Sequence, residues 1–476
     1  MIEVRGAPVS FASLDAGDVA DLWDDWMRPA DQILDDDQLL TTVYEALVKR
    51  SPHSRTRGRL GTPAEVVLRL LLLRHIRNWS YEVLEREVRA NLVYRSFTRV
   101  GGGKVPDDTV INKWALALGP EVMDSIHKRV VAIAREKKIV EGRRMRVDTT
   151  VVETNIHYPT DSSLLGDGVR VLTRAMKRIT AIAGEAGAKL RDRSRSVKFR
   201  LLEIGRAARS KGVVGKEKLQ QAYRKLLAAT SRVVGQAKRF SREIGTGVKT
   251  SRDIFGQAAL EGLRKQLDTM APRVRQVMQQ TRARVFGSDT HVAGKLVSIF
   301  EPDTEVIRKG KASKPTEFGK MVKIQEAENQ IVTSYEVYEK RPSDSSLLIP
   351  AIESHEEQLG RVPRLVAGDA GFYSASNEKA AHEKGVKRVC VPNRNTKSAE
   401  RKREQKKPWF RNGQKWRTGC EGRISVLKRR HGLNRCRDKG ERGMKRWVGF
   451  GVIADNLINI GRVLTRKPKV TVPALD

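Results

Sequence analysis

The chain has 476 residues, long enough for two to four domains and at least one sizeable core. Lys and Arg total 92 against 56 Asp and Glu, and the resulting +36 exceeds anything solubility asks for, which points to a polyanionic partner. Three cysteines (Cys390, Cys420, Cys436), with no CxxC pair and no zinc-like spacing, exclude a disulfide framework and a cysteine zinc site. The N-terminus shows no basic region followed by an apolar run, and VVLRLLLLRHI is too short and too charged to span a bilayer, so the expectation is a cytoplasmic protein with no membrane partner.

The charge is concentrated. Between Asp167 and Arg282 there are 28 basic and 9 acidic residues, and between Lys387 and Arg446 there are 22 and 5, while the remainder is close to neutral. Salt-bridged surface helices alternate their signs, so these two lopsided segments read as surfaces built for phosphate.

In chain order, residues 1–55 form an acidic arm (DDWMRPADQILDDDQLL) with one or two short helices. Residues 56–140 form an all-α domain. TPAEVVLRLLLLRHIRNWSYEVLEREVRANLVYRSF opens with Thr-Pro and repeats apolar residues at three- and four-residue intervals. GGGKVPDDTVINKWALALG then breaks at three glycines and restarts with Asp and Thr as N-caps. A DNA-binding, helix-turn-helix-like domain fits, and so does a helical packing or dimerisation domain. A strand follows at Met145–Glu153, opening a sheet domain over residues 141–470 that is interrupted by a basic helical hairpin or small bundle at 166–283.

Strand character returns in ARVFGSDTH, GKLVSIFEPDTEVIRKG and QIVTSYEVYEK, whose alternation predicts three antiparallel strands. SSLLIPAIESHEEQLG predicts an amphipathic helix, PRLVAGD a buried strand, SASNEKAAHEKG a helix and VKRVCVP a strand. RNTKSAERKREQKKPWFRNGQKW reads as a basic loop without periodicity, followed by the Glu421 helix and the apolar helix WVGFGVIADNLINIGRVL. This order predicts an α/β RNase H-like domain with a long helical insertion, preceded by the all-α domain.

Three acids stand out in it. Asp148 lies in the first strand (RMRVDTTVV), Asp369 at the end of an apolar strand (RLVAGDAGFY) and Glu421 on a helix rich in cations (WRTGCEGRISVLKRR). Phosphoryl transfer needs an activated oxygen nucleophile, a stabilised leaving oxygen and in-line geometry, which two divalent metals roughly 3.5–4 Å apart supply when carboxylates hold them. Mg²⁺ prefers such oxygen ligands. Arg417 and Lys428 sit four before and seven after Glu421, within about 40° of one helix face, an acid between two cations on one stripe. The segment ERKREQKKPWFRNGQKW adds Trp409, Phe410 and Trp416, suited to clamping a backbone and stacking on a base, or else to burial against the core. His157 and His291 read as structural, and Glu153 and Asp289 are left outside the site. No G-x4-G-K-[ST] occurs, which excludes a nucleotide cofactor of that kind.

On these residues the chain resembles the DDE transposases of bacterial insertion sequences, in the group with a Y-x2-R-x3-E-x6-K signature. Arg417, Glu421 and Lys428 match the R, E and K, while Gln414 stands at the tyrosine position. VDTTVVETNIHYPTDSSLL and LVAGDAGFYS resemble the two aspartate regions of its ISNCY-like branch, and PTEFGKMVKI a segment between them, so that the likeness runs from about Thr62 to Leu464. The resemblance implies two Mg²⁺ ions (Mn²⁺ substituting) held by Asp148, Asp369 and Glu421. It implies hydrolysis at each transposon end, attack of the freed 3′-hydroxyl on target DNA, and a homodimer or higher assembly on paired inverted repeats, associated with the nucleoid when bound. The DNA-facing set is then Arg417, Lys428, Arg429, Arg430, Trp409 and Trp416. Two rivals share these features: a transposase-derived DNA-binding protein without catalysis, and an RNase H-fold nuclease without strand transfer.

Overall fold

Seven α-helices precede the first strand in the computed structural model, which describes residues 4–5, 20–50, 61–210, 212–308 and 315–466. They are α1 (Met27–Ile33), α2 (Asp37–Lys49), α3 (Ala64–Arg77), α4 (Tyr81–Ala90), α5 (Leu92–Phe97), α6 (Asp108–Ala117) and α7 (Pro120–Glu136). Short polar side chains start several of them: Asp36, Ser80, Asn91 and Asp107 each accept a backbone N–H of the first turn. α3 carries the longest apolar run of the region and is buried on every side, as a helix apolar all round must be. Its most deeply buried arginine, Arg69, is neutralised by Asp31 at 2.7 Å and donates to the Leu34 carbonyl.

The expected acidic arm is not separate where it is described. Leu39, Leu40, Val43 and Leu47 of α2 share one core with Leu68, Leu71 and Leu72 of α3. Acidic neighbours masked that stripe in the sequence. Most of the arm before residue 20, and the expected boundary at 51–60, lie outside the described residues.

Strand β1 (Arg144–Thr154) is followed by helices α8 (Asp161–Ala183), α9 (Ser194–Ala207), α10 (Gly212–Gly245) and α11 (Ile254–Phe286). These helices form a compact unit over residues 156–306 around Leu165, Leu172, Met176, Leu226, Val233, Phe240 and Leu267. The helical stretch begins before residue 166 and ends after 283. ARVF, expected to be a strand, is the last turn of α11, because the α11 pattern of buried Val274, Val277, Met278 and Thr281 carries it on.

The other unit, residues 1–155 and 307–476, holds the sheet. Its strands are β1, β2 (Glu305–Arg308), β3 (Thr316–Glu326), β4 (Val332–Val337), β5 (Leu365–Ala367), β6 (Arg388–Cys390) and β7 (Arg435–Cys436). Between and after them run α12 (Leu348–Leu359), α13 (Ala375–Glu383), α14 (Ala399–Lys406), α15 (Pro408–Arg430) and α16 (Gly440–Thr465). β3 pairs antiparallel with β1 and β4; β5 pairs parallel with β1, and β6 parallel with β5. The antiparallel and parallel halves therefore meet at β1.

Of the three strands expected here, only EVIR and VTSYEV form; the central partner of β1 is instead β3, TEFGKMVKIQE. Its register buries Lys320, Lys323, Gln325 and Glu326 together with the apolar positions, which hid the two-residue alternation.

The sheet is covered on both faces. Met145, Val147 and Met321 pack with Leu348, Ala351 and Ile352 of α12, whereas Val152, Val322 and Ile324 pack with Leu427, Trp447, Val448 and Val452 of α15 and α16. α16 continues into the N-terminal core through Phe450, Ile453, Leu457 and Ile460. One C-terminal helix thus stitches the helical region to the sheet. No helix among the described residues is long and apolar enough to cross a membrane.

His127 of α7 makes that joint sensitive to acid. The ring is fully buried, donates from Nε2 to the Val332 carbonyl of β4 at 2.9 Å and meets Tyr335 edge-on. Burial pushes its pKa down to about 4. Below pH 6.5 the unfolded chain takes up the proton that the folded chain refuses, so stability falls as pH drops from about 6.5 towards 4. Between pH 7 and pH 5 this one group removes about 2 kcal/mol. Chemical denaturation at the two pH values should show that loss in wild type and a smaller one in His127→Gln, which keeps a donor for Val332; an equal loss in both proteins would exclude His127 as the source.

Candidate active site

β1 and β5 pair with Arg146 opposite Ala367. Two residues beyond that last pair stand Asp148, still within β1, and Asp369, just past the end of β5. Asp148, 14% exposed, accepts the Thr149 N–H at 2.7 Å. Asp369 leaves β5 at its C-terminal end, where open sheets place ligands, and its Oδ1 caps the following turn by accepting from Gly371 N at 2.9 Å.

A further acid joins them that sequence reasoning did not single out. Asp344, in the turn before α12, accepts from Thr149 Oγ1 at 3.1 Å. A Cβ on Gly371 would fall 3.1 Å from Asp369 Oδ1 and 3.3 Å from Asp344 Oδ2, so both carboxylates border one small space. RPSDSSLL reads locally as a helix cap, and only the tertiary fold brings it here.

Glu421 comes from α15. The basic segment before it is helical, not a loop: Ser398 caps α14, extended Lys407 precedes Pro408, and Pro408 starts α15 at the position where its missing N–H does no harm. Charge at nearly every position of α14 erased the apolar periodicity that would have announced it. α15 lies close on the sheet through two glycines. A Cβ on Gly413 would sit 2.5 Å from Cys390 Sγ, and one on Gly419 would collide with the Arg146 guanidinium. Gln414, at the tyrosine position of the signature, donates to the Gly368 and Cys390 carbonyls at 3.2 and 2.6 Å and ties α15 to the ends of β5 and β6.

Arg417 links the helix to the strand. Its guanidinium is 2.8 Å from Glu421 Oε1 and 3.7 Å from Asp148 Oδ2, so one cation stands between two of the three acids. Glu421 itself is 54% exposed. Beneath this pair lies a buried ionic layer. Arg146 pairs with Glu326 and donates to the Trp416 carbonyl, while Arg423 donates to Asp455 at 2.7 Å, and Asp455 also accepts from Asn459. Burial raises the pKa of Glu326, and the Arg146 guanidinium opposes that rise.

Trp416 is partly buried beneath the guanidinium groups of Arg144 and Arg146, 5.0 and 4.8 Å from its ring. Trp409 packs edge-on against buried Phe410 with Arg388 over its ring. All three aromatics thus belong to the seam between α15 and the sheet. Lys428 is half-buried, and Arg429 and Arg430 are exposed at the end of α15. Glu153 is buried, with Arg435 3.4 Å away. His157, His291 and Asp289 belong to the helical unit, where His157 lies 3.7 Å from Asp167 and Asp289 accepts the His291 N–H.

The donor set suits a hard cation, since Asp148, Asp369, Asp344 and Glu421 offer only carboxylate oxygens. Burial pushes the Cys390 thiol up to about 11 and raises that of Cys420 well above its usual value, so neither supplies a thiolate. Among the described residues no three acidic, His or Cys side chains converge on one ion position.

Two family models match the chain. A transposase domain (DUF772) matches residues 21–115, from just before α1 to α6. A transposase DDE domain matches residues 377–461, which include Glu421 and all of α15 but neither aspartate. No curated protein and no solved structure matches the chain.

Proposed function

We propose that this chain, which both family matches support as an insertion-sequence DDE transposase, binds the terminal inverted repeats of its element, cuts them and joins the freed 3′-hydroxyl to target DNA. The observation that carries this reading is the parallel β1–β5 pairing, with Asp148 and Asp369 each two residues beyond its last pair, together with Arg417 lying between Asp148 and Glu421. The strand order β4-β3-β1-β5-β6, with the first two pairings antiparallel and the last two parallel, supports an RNase H-like core.

Mg²⁺ ions held by Asp148, Asp369 and Glu421 would supply nucleophile activation and neutralisation of the leaving oxygen's charge. The chain's own contribution is placement. β1 and the end of β5 fix two carboxylates from behind, and Gln414, Gly413 and Gly419 hold α15 close enough for the third to reach them. Arg417 offsets the repulsion between Asp148 and Glu421 before substrate arrives. Exposed Glu421 completes the site by a side-chain movement on a fixed helix. Lys428, on the same face, is placed to meet a DNA phosphate. The helical region of the DUF772 match would read the repeats, and the basic α8–α11 unit would hold flanking DNA through its phosphates. Paired ends call for a homodimer or larger assembly.

The test is a Mg²⁺-dependent assay on DNA carrying the repeats that flank the coding sequence, with a supercoiled plasmid as target. Nicks bearing a 3′-hydroxyl at the repeat boundary and end-plasmid joints are expected. Nicks without joints favour the nuclease, and binding without nicks favours the DNA-binding protein.

A further inference from the structure

One cleft in the sheet-bearing unit lies away from the three carboxylates. It holds about 890 Å³ and is lined by Arg77 and Asn78 from the end of α3, Arg429, Arg430 and His431 from the end of α15, Arg462 and Arg466 from the end of α16, and Asp24 and Asp25 ahead of α1. Five arginines face two aspartates. Asp24 is already engaged, by Arg77 at 2.7 Å and by the Trp26 indole N–H at 3.2 Å. Arg430, Arg462 and Arg466 are exposed and make no ion pair among the described residues. Three helix C-termini converge here, each carrying about half a negative charge, and some of the arginine charge answers them. Even after that allowance and the two aspartates, the cleft stays positive.

The walls come from both family-matched segments. Asp24, Asp25, Arg77 and Asn78 lie within residues 21–115, and Arg429, Arg430 and His431 within 377–461. Arg430 is nine residues beyond Glu421 on α15, about 13 Å along its axis and half a turn round the helix from it.

We propose that this arginine cleft is a second DNA site, seating the phosphodiester backbone at the end of α15 away from the bond that is cut. It grips chiefly through the backbone, because guanidinium forks match phosphate oxygens. The inference rests on the DNA-cutting reading above.

The test is fluorescence anisotropy of labelled duplexes, repeat-bearing and random, across a KCl series. Arg430→Ala/Arg462→Ala should lower the slope of log Kobs against log[KCl] by about two units and weaken both duplexes alike. Arg430→Lys/Arg462→Lys should restore most of the slope, which a misfolded variant would not. Lys137→Ala/Lys340→Ala, an equal loss of exposed charge elsewhere, should leave it unchanged. A wild-type slope in the double alanine variant would overturn the cleft alone. Wild type that binds no DNA would overturn the cleft together with the transposase reading.

Discussion

Asp148→Asn should abolish repeat-end cleavage, with a loss on the order of 10³-fold or more, about 4 kcal/mol of transition-state stabilisation. Binding of repeat DNA should persist or tighten. The carboxamide keeps the shape of the carboxylate and its acceptor for the Thr149 N–H, and it removes a negative charge from a site that must admit phosphate. It cannot supply the anionic oxygen that a divalent cation needs. Asp369→Asn should behave the same way if both carboxylates hold the same metal ions, as proposed above. Asp148→Asn/Asp369→Asn should be little worse than either alone, since groups that act as a unit do not lose their contributions additively. Glu421→Gln belongs to the same set. Single-turnover nicking rates with saturating DNA measure this, and a variant retaining a tenth of the wild-type rate would remove its residue from the site.

Arg146→Met should destabilise the sheet-bearing unit by about 3–5 kcal/mol, because it strands the fully buried Glu326 carboxylate without a partner. Arg146→Met/Glu326→Leu should recover most of that stability, because removing both charges also removes the desolvation penalty. Activity should not recover with it. Arg146 also donates to the Trp416 carbonyl and lies against Gly419, so it sets how closely α15 sits on β1. A positioning residue of this kind leaves DNA binding intact and lowers the nicking rate after the fold is restored. Urea denaturation beside nicking rates separates the two effects. Full activity in the stable double variant would show that α15 is positioned without Arg146.

The sequence revealed the parts of the proposed site and little of its assembly. Asp148 was readable because an apolar strand surrounds it, Asp369 because VAG precedes it, and Glu421 because Arg417 and Lys428 share its helix face. The residues that hold these parts together were silent, since each looks ordinary locally. Arg146 and Glu326 are 180 positions apart and meet only across the β1–β3 pairing. Asp344 approaches Asp369 through a turn with a generic capping sequence. β3 was missed for the same reason that it is central, since burial on both faces removes alternation. α14 was missed because a helix without an apolar face carries no period. The joining of the N-terminal helices to the sheet depends on α16, whose nearly continuous apolar surface spoke of burial without saying against what.

The convergence of the three carboxylates is tested most directly by replacing Mg²⁺ with Fe²⁺ in the DNA-bound protein and mapping backbone cuts made by locally generated hydroxyl radicals. The account predicts cuts confined to β1 around Asp148, to the turn after β5 around Asp369 and to α15 around Glu421, all suppressed by excess Mg²⁺. Cuts that spare any one of these three segments, or that persist in excess Mg²⁺, would contradict it.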